Sequence, residues 1–441
     1  MIRPPGRFTL GRLMIAIAAL AVLLAAWLYR RQNSDVDQAA ISAALRAITW
    51  GDVASRRRAV EALGEVKTPE TARIFAALEA SALGDRAPEV RRAAVRSLGK
   101  ILSGLAFARK MQKAVANTTT EADVEPIQVV IRAMADGSNQ VRREAAEAFG
   151  HLETVTKIKP GLASEAVPSL ERLLGDLDPG TRLAAVNALG RIDEPPARLR
   201  AQVVALMERD PDATVRCAAI EALVRGWPSG ELYSVLLTRR NKAPTLEEHQ
   251  RIAGNLGNLP APPLDVIPAL VALMENDEMA ALTVPGALTM LGERGRPWLG
   301  PLRKAAEREL EAPPSSFRLA YGAPLNAAHA LATIDPDSPE AQAMLGALVR
   351  RLRDTRDQAE AWKAAGVLEK YRGSAASAIP TLREMLKSPS IATRLLAIRL
   401  LGKLGPSANA AVEDLEALSR QDPDSTVRRF AERLLQTLHP R

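Results

Sequence analysis

Aromatic side chains make up only 3% of the 441 residues, and there is a single cysteine, Cys217. Sandwiches, barrels and nucleotide-binding sheets draw on aromatic rings for core volume and stacking, so a chain this poor in them points away from those folds. One cysteine excludes an internal disulfide framework and a thiolate metal cluster. The four histidines, His151, His249, His329 and His439, are far apart in sequence, and none is followed by glutamate. They read as surface or packed side chains rather than metal ligands. A phosphate-binding P-loop, a dinucleotide glycine fingerprint, a nucleophile-elbow serine and an H-E-x-x-H zinc pair are all missing. Neither a metal nor a cofactor is expected, and Cys217, inside Val-Arg-Cys-Ala-Ala, reads as packing rather than as a nucleophile.

Acid is absent from the first 31 residues, which hold Arg3, Arg7, Arg12, Arg30 and Arg31. Without them the formal charge of +8 shrinks to 54 basic against 51 acidic residues. Residues 32–240 count 29 against 27, so no large part of the chain has the lopsided balance of a phosphate-binding domain. Nucleic acid is not an expected partner.

Between Arg12 and Arg30 run 17 uncharged residues, 13–29. As a helix they would span roughly 26 Å, close to the ~30 Å hydrocarbon core, with Trp27 and Tyr29 suited to an interface. A cleaved signal peptide is the rival reading, but cutting after Ala25 or Ala26 leaves Leu23 or Leu24 where a small residue is needed. The expected layout is a basic flank (1–12), a transmembrane helix or signal anchor (13–29) contacting the lipid bilayer, a linker (30–37), a repeat region (38–438) and a tail (439–441). The Arg7–Ala18 run also resembles short uncleaved leaders of bacterial envelope proteins. It implies a single-pass membrane protein of a bacterial-type cell envelope, with the bulk on the non-cytoplasmic side.

Hydrophobic residues reach 47%, mostly leucine and alanine, and after Asp35 they recur in copies. The clearest are VRRAAVRSLGKI (90–101), VRREAAEAFGHL (141–152), TRLAAVNALGRI (181–192), VRCAAIEAL (215–223) and TRLLAIRLLGKL (393–404). One apolar anchor per copy gives Leu63, Leu98, Phe149, Leu189, Leu223, Leu256, Leu291, Leu331, Leu368, Leu401 and Leu435. These eleven are spaced by 33 to 51 residues, with a mean of about 37. Apolar positions 0, 3, 4, 7 or 8 and 11 of each copy mark one face of a helix. A second amphipathic segment precedes it, as in AVPSLERLLGD, VIPALVALMEND and AIPTLREMLKS, its proline expected in the first turn. Turns rich in Asp, Pro and Gly join the two. Such a hairpin buries its apolar face only by stacking on neighbours.

Period, helix pair and the VRxxAxxxLG core together resemble the HEAT-repeat family over nearly all of residues 38–438. Tetratricopeptide repeats fit worse, lacking their Trp/Gly/Tyr signature. The resemblance implies an all-α superhelix, an armadillo-like helical solenoid of about eleven hairpins, here preceded by one transmembrane helix. It also implies a membrane-tethered scaffold holding another protein or peptide along a concave surface, without catalysis. Enzymatic relatives exist. The di-iron branch needs repeated His-Glu pairs, which are missing; a lyase acting on a cofactor or modified protein needs a deep aromatic-lined pocket; and the DNA-repair branch needs a basic groove, for which only clusters such as Arg56-Arg57-Arg58 speak.

An aspartate stands six residues before the second helix's arginine in five copies: Asp85/Arg91, Asp136/Arg142, Asp176/Arg182, Asp210/Arg216 and Asp422/Arg428. A cation in a first turn opposes the helix dipole, which is tolerable if the aspartate of the inter-helix turn pairs with it. The resemblance implies a ladder of such pairs along the stack. Ser388/Arg394 lacks the acid, and the copies anchored at Leu256, Leu291, Leu331 and Leu368 lack the pair. Those divergent copies, with a long inter-helix stretch at 293–324, hold Trp298, Tyr321, Trp362 and Tyr371, a candidate partner-binding patch. Lys110–Pro126 reads as an inserted loop.

Overall fold

Asp, Ser or Thr stands at the start of helix after helix, its side chain accepting the backbone N–H groups that a first turn leaves without partners. Asp52 takes Ser55 N, Asp178 takes Thr181 N, Asp212 takes Val215 N, Thr245 takes Glu248 N, Asp277 takes Ala280 N and Ser390 takes Thr393 N. In the computed structural model, which describes residues 38–66, 71–112, 124–152, 160–311, 325–354, 358–371 and 378–438, these caps open the second members of consecutive helix pairs.

The chain divides into two units, residues 1–227 and 228–441. The described part of the first holds α1 (38–50), α2 (Val53–Leu63), α3 (Thr71–Gly84), α4 (Pro88–Gln112), α5 (Val124–Ala133), α6 (Asn139–Gly150), α7 (Pro160–Leu173), α8 (Pro179–Leu189), α9 (Ala197–Arg209) and α10 (Ala213–Gly226). Here the second helices α2, α4, α6, α8 and α10 pack each on the next, while α3, α5 and α7 form a parallel layer of first helices.

The second unit holds α11 (Glu231–Lys242), α12 (Leu246–Leu256), α13 (Ile267–Asn276), α14 (Glu278–Thr289), α15 (Leu299–Glu311), α16 (Asn326–Ile334), α17 (Pro339–Asp354), α18 (Gln358–Tyr371), α19 (Ile379–Leu386), α20 (Ile391–Leu404), α21 (Val412–Gln421) and α22 (Ser425–Leu438). It repeats the scheme, with α12, α14, α16, α18, α20 and α22 as the second-helix layer and α13, α15, α17, α19 and α21 as a first-helix layer. Each unit is thus an all-α repeat solenoid. Among the described residues there are eleven helix pairs and no strand.

Ten of the eleven anchors are buried in the layer between the helices, while Leu435 is half-buried and its neighbour Leu434 is buried instead. Leu63, Leu98, Leu189, Leu223, Leu256, Leu331 and Leu401 are fully inaccessible, with Phe149, Leu291 and Leu368 nearly so. The glycine after the anchor has a separate job. A Cβ on Gly99 would lie 2.9 Å from Ala148 Cβ, and one on Gly190 would lie 2.8 Å from Ala222 Cα. Both alanines occupy the position just before the next copy's anchor. The Leu-Gly and Ala elements of the repeat are therefore two sides of one close approach between successive second helices.

Three local expectations change. Pro168 lies inside α7 rather than in its first turn, because that helix begins at Pro160. The stretch 293–324 is not an inter-helix segment throughout: Gly292–Trp298 forms a 3₁₀ turn and Leu299–Glu311 is the first helix of a pair. The insertion after Leu98 partly lengthens α4, whose 25 residues run to Gln112.

The membrane assignment is corrected. Among the described residues no helix is long and apolar enough to cross a bilayer. Even α4, the longest of them at 25 residues, carries Glu89, Arg91, Arg92, Arg96, Lys100, Arg109 and Lys110, a charge load the hydrocarbon core does not accommodate. The expected span 13–29 lies outside the described residues, and a single-pass envelope protein with bilayer contact is not supported.

The close approach makes a paired prediction. Gly190→Ala should cost about 1–3 kcal/mol, because the new methyl meets backbone rather than a flexible side chain. Gly366→Ala, in α18 with nothing within 4 Å of the added carbon, should gain about 0.5–1 kcal/mol. Urea denaturation of the two variants checks both signs.

Candidate binding surface

The arginine at the second position of each copy faces two ways. Its Nη1 donates back to the carbonyl of the residue six positions earlier: Arg91 to Asp85 (2.8 Å), Arg142 to Asp136 (2.9 Å), Arg182 to Asp176 (2.8 Å), Arg216 to Asp210 (2.6 Å) and Arg428 to Asp422 (2.5 Å). The carboxylate of that aspartate goes elsewhere, to the arginine of the preceding copy. Arg91 grips Asp136 through Nε and Nη2 at 2.7 and 2.8 Å, Arg142 grips Asp176 at 2.7 and 3.0 Å, and Arg182 grips Asp210 at 2.7 and 2.8 Å. The spacing of six thus places main chain, not carboxylate, within an arginine's own copy. The acid arrives from the next one.

Two more rungs lie outside the five sequence pairs. Arg56 holds Asp85 at 2.8 and 3.0 Å, and Arg394 holds Asp422 at 2.8 and 3.0 Å. Arg394 also donates to the Ser388 carbonyl at 2.8 Å, which explains how serine can stand there: the arginine uses only its main chain. Arg56, noted in sequence only as part of an arginine run, was legible from its place in the copy anchored at Leu63.

Burial by itself would raise the carboxyls of Asp85, Asp136 and Asp176. The guanidiniums of Arg56, Arg91 and Arg142, with the amides of Ala87, Ser138 and Asp178, outweigh it and hold all three below the usual carboxylate range.

Where the pairs lapse, other contacts fill in. Arg240 of α11 reaches Asp277 at 2.7 Å, and Arg239 pairs with the inaccessible Glu248. Glu309 of α15 accepts from Ala327 N at 3.0 Å and so caps α16 from outside, while Asn326 Nδ2 donates to the Leu282 carbonyl at 2.6 Å.

The four aromatic candidates are not one patch. Tyr371 is 1% exposed and donates its hydroxyl to the Ala341 carbonyl at 3.0 Å, with burial pushing its pKa up. It belongs to the core. Tyr321 lies outside the described residues. Trp298 is half-buried at the end of the 3₁₀ turn. Trp362 is 40% exposed on α18, with the Arg399 guanidinium 5.2 Å from its ring centroid. Cys217 is buried in α10. Among the described residues no group of three or more His, Cys, Asp or Glu could hold a metal ion. A cavity of about 330 Å³ between α19, α20 and α21 is lined by Ser388, Arg394, Asp414, Leu418 and Asp422 among others and has no aromatic ring.

The HEAT-repeat family model matches residues 127–224 and 345–436, and these stretches are HEAT repeats. Among solved structures, importin β crystallised in ammonium sulfate is 14% identical, with a TM-score of 0.63 over 93% of this chain and 59% of that one. Importin β crystallised in polyethylene glycol is also 14% identical, with a TM-score of 0.52 over 90% of this chain and 53% of that one. An engineered protein is 21% identical over 90% of this chain and 98% of its own, with a TM-score of 0.45. At such identities the likeness is one of fold, and the chain spans little more than half of either importin β. No curated protein matches the chain.

The ladder makes two predictions. Asp210→Ala leaves the Arg182 guanidinium buried without its carboxylate and should cost about 3–5 kcal/mol in denaturant titration. Because the carboxyls of Asp85, Asp136 and Asp176 are depressed on folding, their contribution is complete above about pH 4 and is lost as pH falls through the folded values. Tm should therefore drop most steeply below about pH 4, and Asp136→Asn should lower Tm at pH 7 while flattening that acid limb.

Proposed function

We propose that residues 38–438 form one HEAT-like scaffold that holds another protein or peptide along the exposed face of its second helices, with no chemistry of its own. One observation carries this reading. In six of the eleven copies the residue two before the anchor is exposed, and it changes character from copy to copy, as Glu61, Arg96, Glu147, Asn187, Arg399 and Arg433. The anchors just beyond it stay leucine or phenylalanine and, in those copies, are buried up to Leu401. Constant inside and variable outside is the arrangement of a surface that recognises through many small contacts on a rigid support. Trp362, exposed on second helix α18, stays within the proposed contact surface as its aromatic member. A lyase pocket is less well supported, since the 330 Å³ cavity offers no ring to stack on a cofactor.

Photo-crosslinking residues at positions 96, 147 and 187 on second helices, against 128 and 205 on first helices, tests the reading in cells that make the full chain. Adducts with discrete partners are expected from the first set. Adducts confined to the first helices would reject the proposed face.

A further inference from the structure

The second-helix face differs in charge between the two units. Its stripe comprises the residues six before, two before and two after each anchor, one turn apart along a helix. In the first unit opposite charges meet on or beside this stripe: Arg96 with Glu144 at 2.5 Å, Lys100 with Glu65 at 2.6 Å, and the i,i+4 pairs Arg57–Glu61 and Arg143–Glu147 at 3.8 and 3.9 Å. That face pairs much of its charge, while Arg92, Arg191 and Arg225 on it have no carboxylate partner among the described residues.

In α18, α20 and α22 the same positions hold Trp362, Lys370, Arg399, Lys403, Arg429 and Arg433. Glu369 lies beside them and is taken by Arg399 at 2.8 Å. Among the described residues, Lys370, Lys403, Arg429 and Arg433 have no carboxylate partner. Arg399 with Lys403, and Arg429 with Arg433, stand at i,i+4, a spacing at which like charges destabilise a helix. Acids lie on both layers, as Glu384, Glu413, Asp414 and Glu416 of α19 and α21 and as Glu369 and Glu432 of α18 and α22. Residues 339–438 hold 16 basic against 12 acidic residues, and part of that excess stands on this face as cations without a carboxylate partner. Trp362 stays 40% exposed at the edge of this field.

We propose that the second-helix face of the last three hairpins binds an acidic peptide segment of a partner protein. Its carboxylates would meet Lys370, Lys403, Arg429 and Arg433, and an apolar side chain would lie on Trp362. This rests on the scaffold reading above and gives its partner a chemistry. The cations are spread over layers about 8–10 Å apart, too far for one small anion to bridge. An extended peptide rising about 3.3 Å per residue matches them with an acid at every third position. Nucleic acid fits less well, because Glu369 and the half-buried Leu395 interrupt the stripe where a phosphate backbone would need continuous positive charge.

The test is fluorescence anisotropy on the full chain with a fluorescein-labelled decapeptide of glutamate and leucine, beside a lysine–leucine peptide and decathymidylate. The acidic peptide should bind, and the Lys403→Glu/Arg433→Glu variant should weaken it at least tenfold with helicity unchanged. Trp362→Ala should weaken it severalfold. The milder Lys370→Gln/Arg429→Gln pair should also weaken it severalfold and serves if charge reversal perturbs folding. Absent binding, equal binding by these variants, or tighter binding of decathymidylate overturns the proposal. Second-helix crosslinks without acidic-peptide binding reject this inference alone, whereas crosslinks confined to first helices reject the scaffold reading as well.

Discussion

One guanidinium in each regular copy sets the geometry of its place in the stack. Apolar burial drives helices together, but it is non-directional and leaves their register loosely defined. The arginine supplies direction. Its Nη1 closes the turn of its own hairpin, and its Nε–Nη2 edge takes the next hairpin's aspartate in a two-point grip whose geometry tolerates little rotation. The same aspartate accepts a backbone amide two residues on, as Asp210 does from Asp212 at 2.9 Å, so it also shapes the turn that opens the following helix. Turn, helix start and inter-repeat register depend on one pair of side chains. An array coupled this way transmits order from neighbour to neighbour without long-range contacts.

The divergent copies show what that constraint requires once the pair is gone. Asp277 still opens a second helix, but its cation comes from first-helix Arg240. The α16 N-terminus has lost its own cap and borrows Glu309, while Leu325 just before it takes a left-handed φ of 86°. Each hairpin keeps a polar link to its surroundings, but each uses a different residue. Repeat decay here is substitution of the link rather than its loss.

Much of this was legible in the sequence, because period and anchor positions follow from burial alone. All the buried anchors lie where a 3.6-residue face predicts, and Tyr371 sits three residues after its anchor, as do Leu152, Ile192 and Leu404, which are buried too. Counting its position rather than its type would have placed it in the core. Trp362, six before the same anchor, shares its position with Arg92 and Arg143 and faces out accordingly. What escaped was everything that depends on a neighbour in space. A spacing of six residues suggests a pair within one copy, yet three-dimensional stacking hands the carboxylate to the copy before. A glycine after the anchor reads as a helix end until Ala148 or Ala222 is seen lying against it.

The internal links also bear on what the surface is able to do. Arginine is the natural anion-binding side chain, and a stack with one per copy would look like a phosphate track if those arginines were available. They are not: Arg182 and Arg394 are almost wholly buried and committed to aspartate on one side and backbone on the other. Recognition is therefore left to the positions one turn further along each second helix, which neither the ladder nor the core uses. There the first unit pairs much of its charge across and along its helices, while at the end of the second Arg399 alone of the stripe's cations has a carboxylate partner.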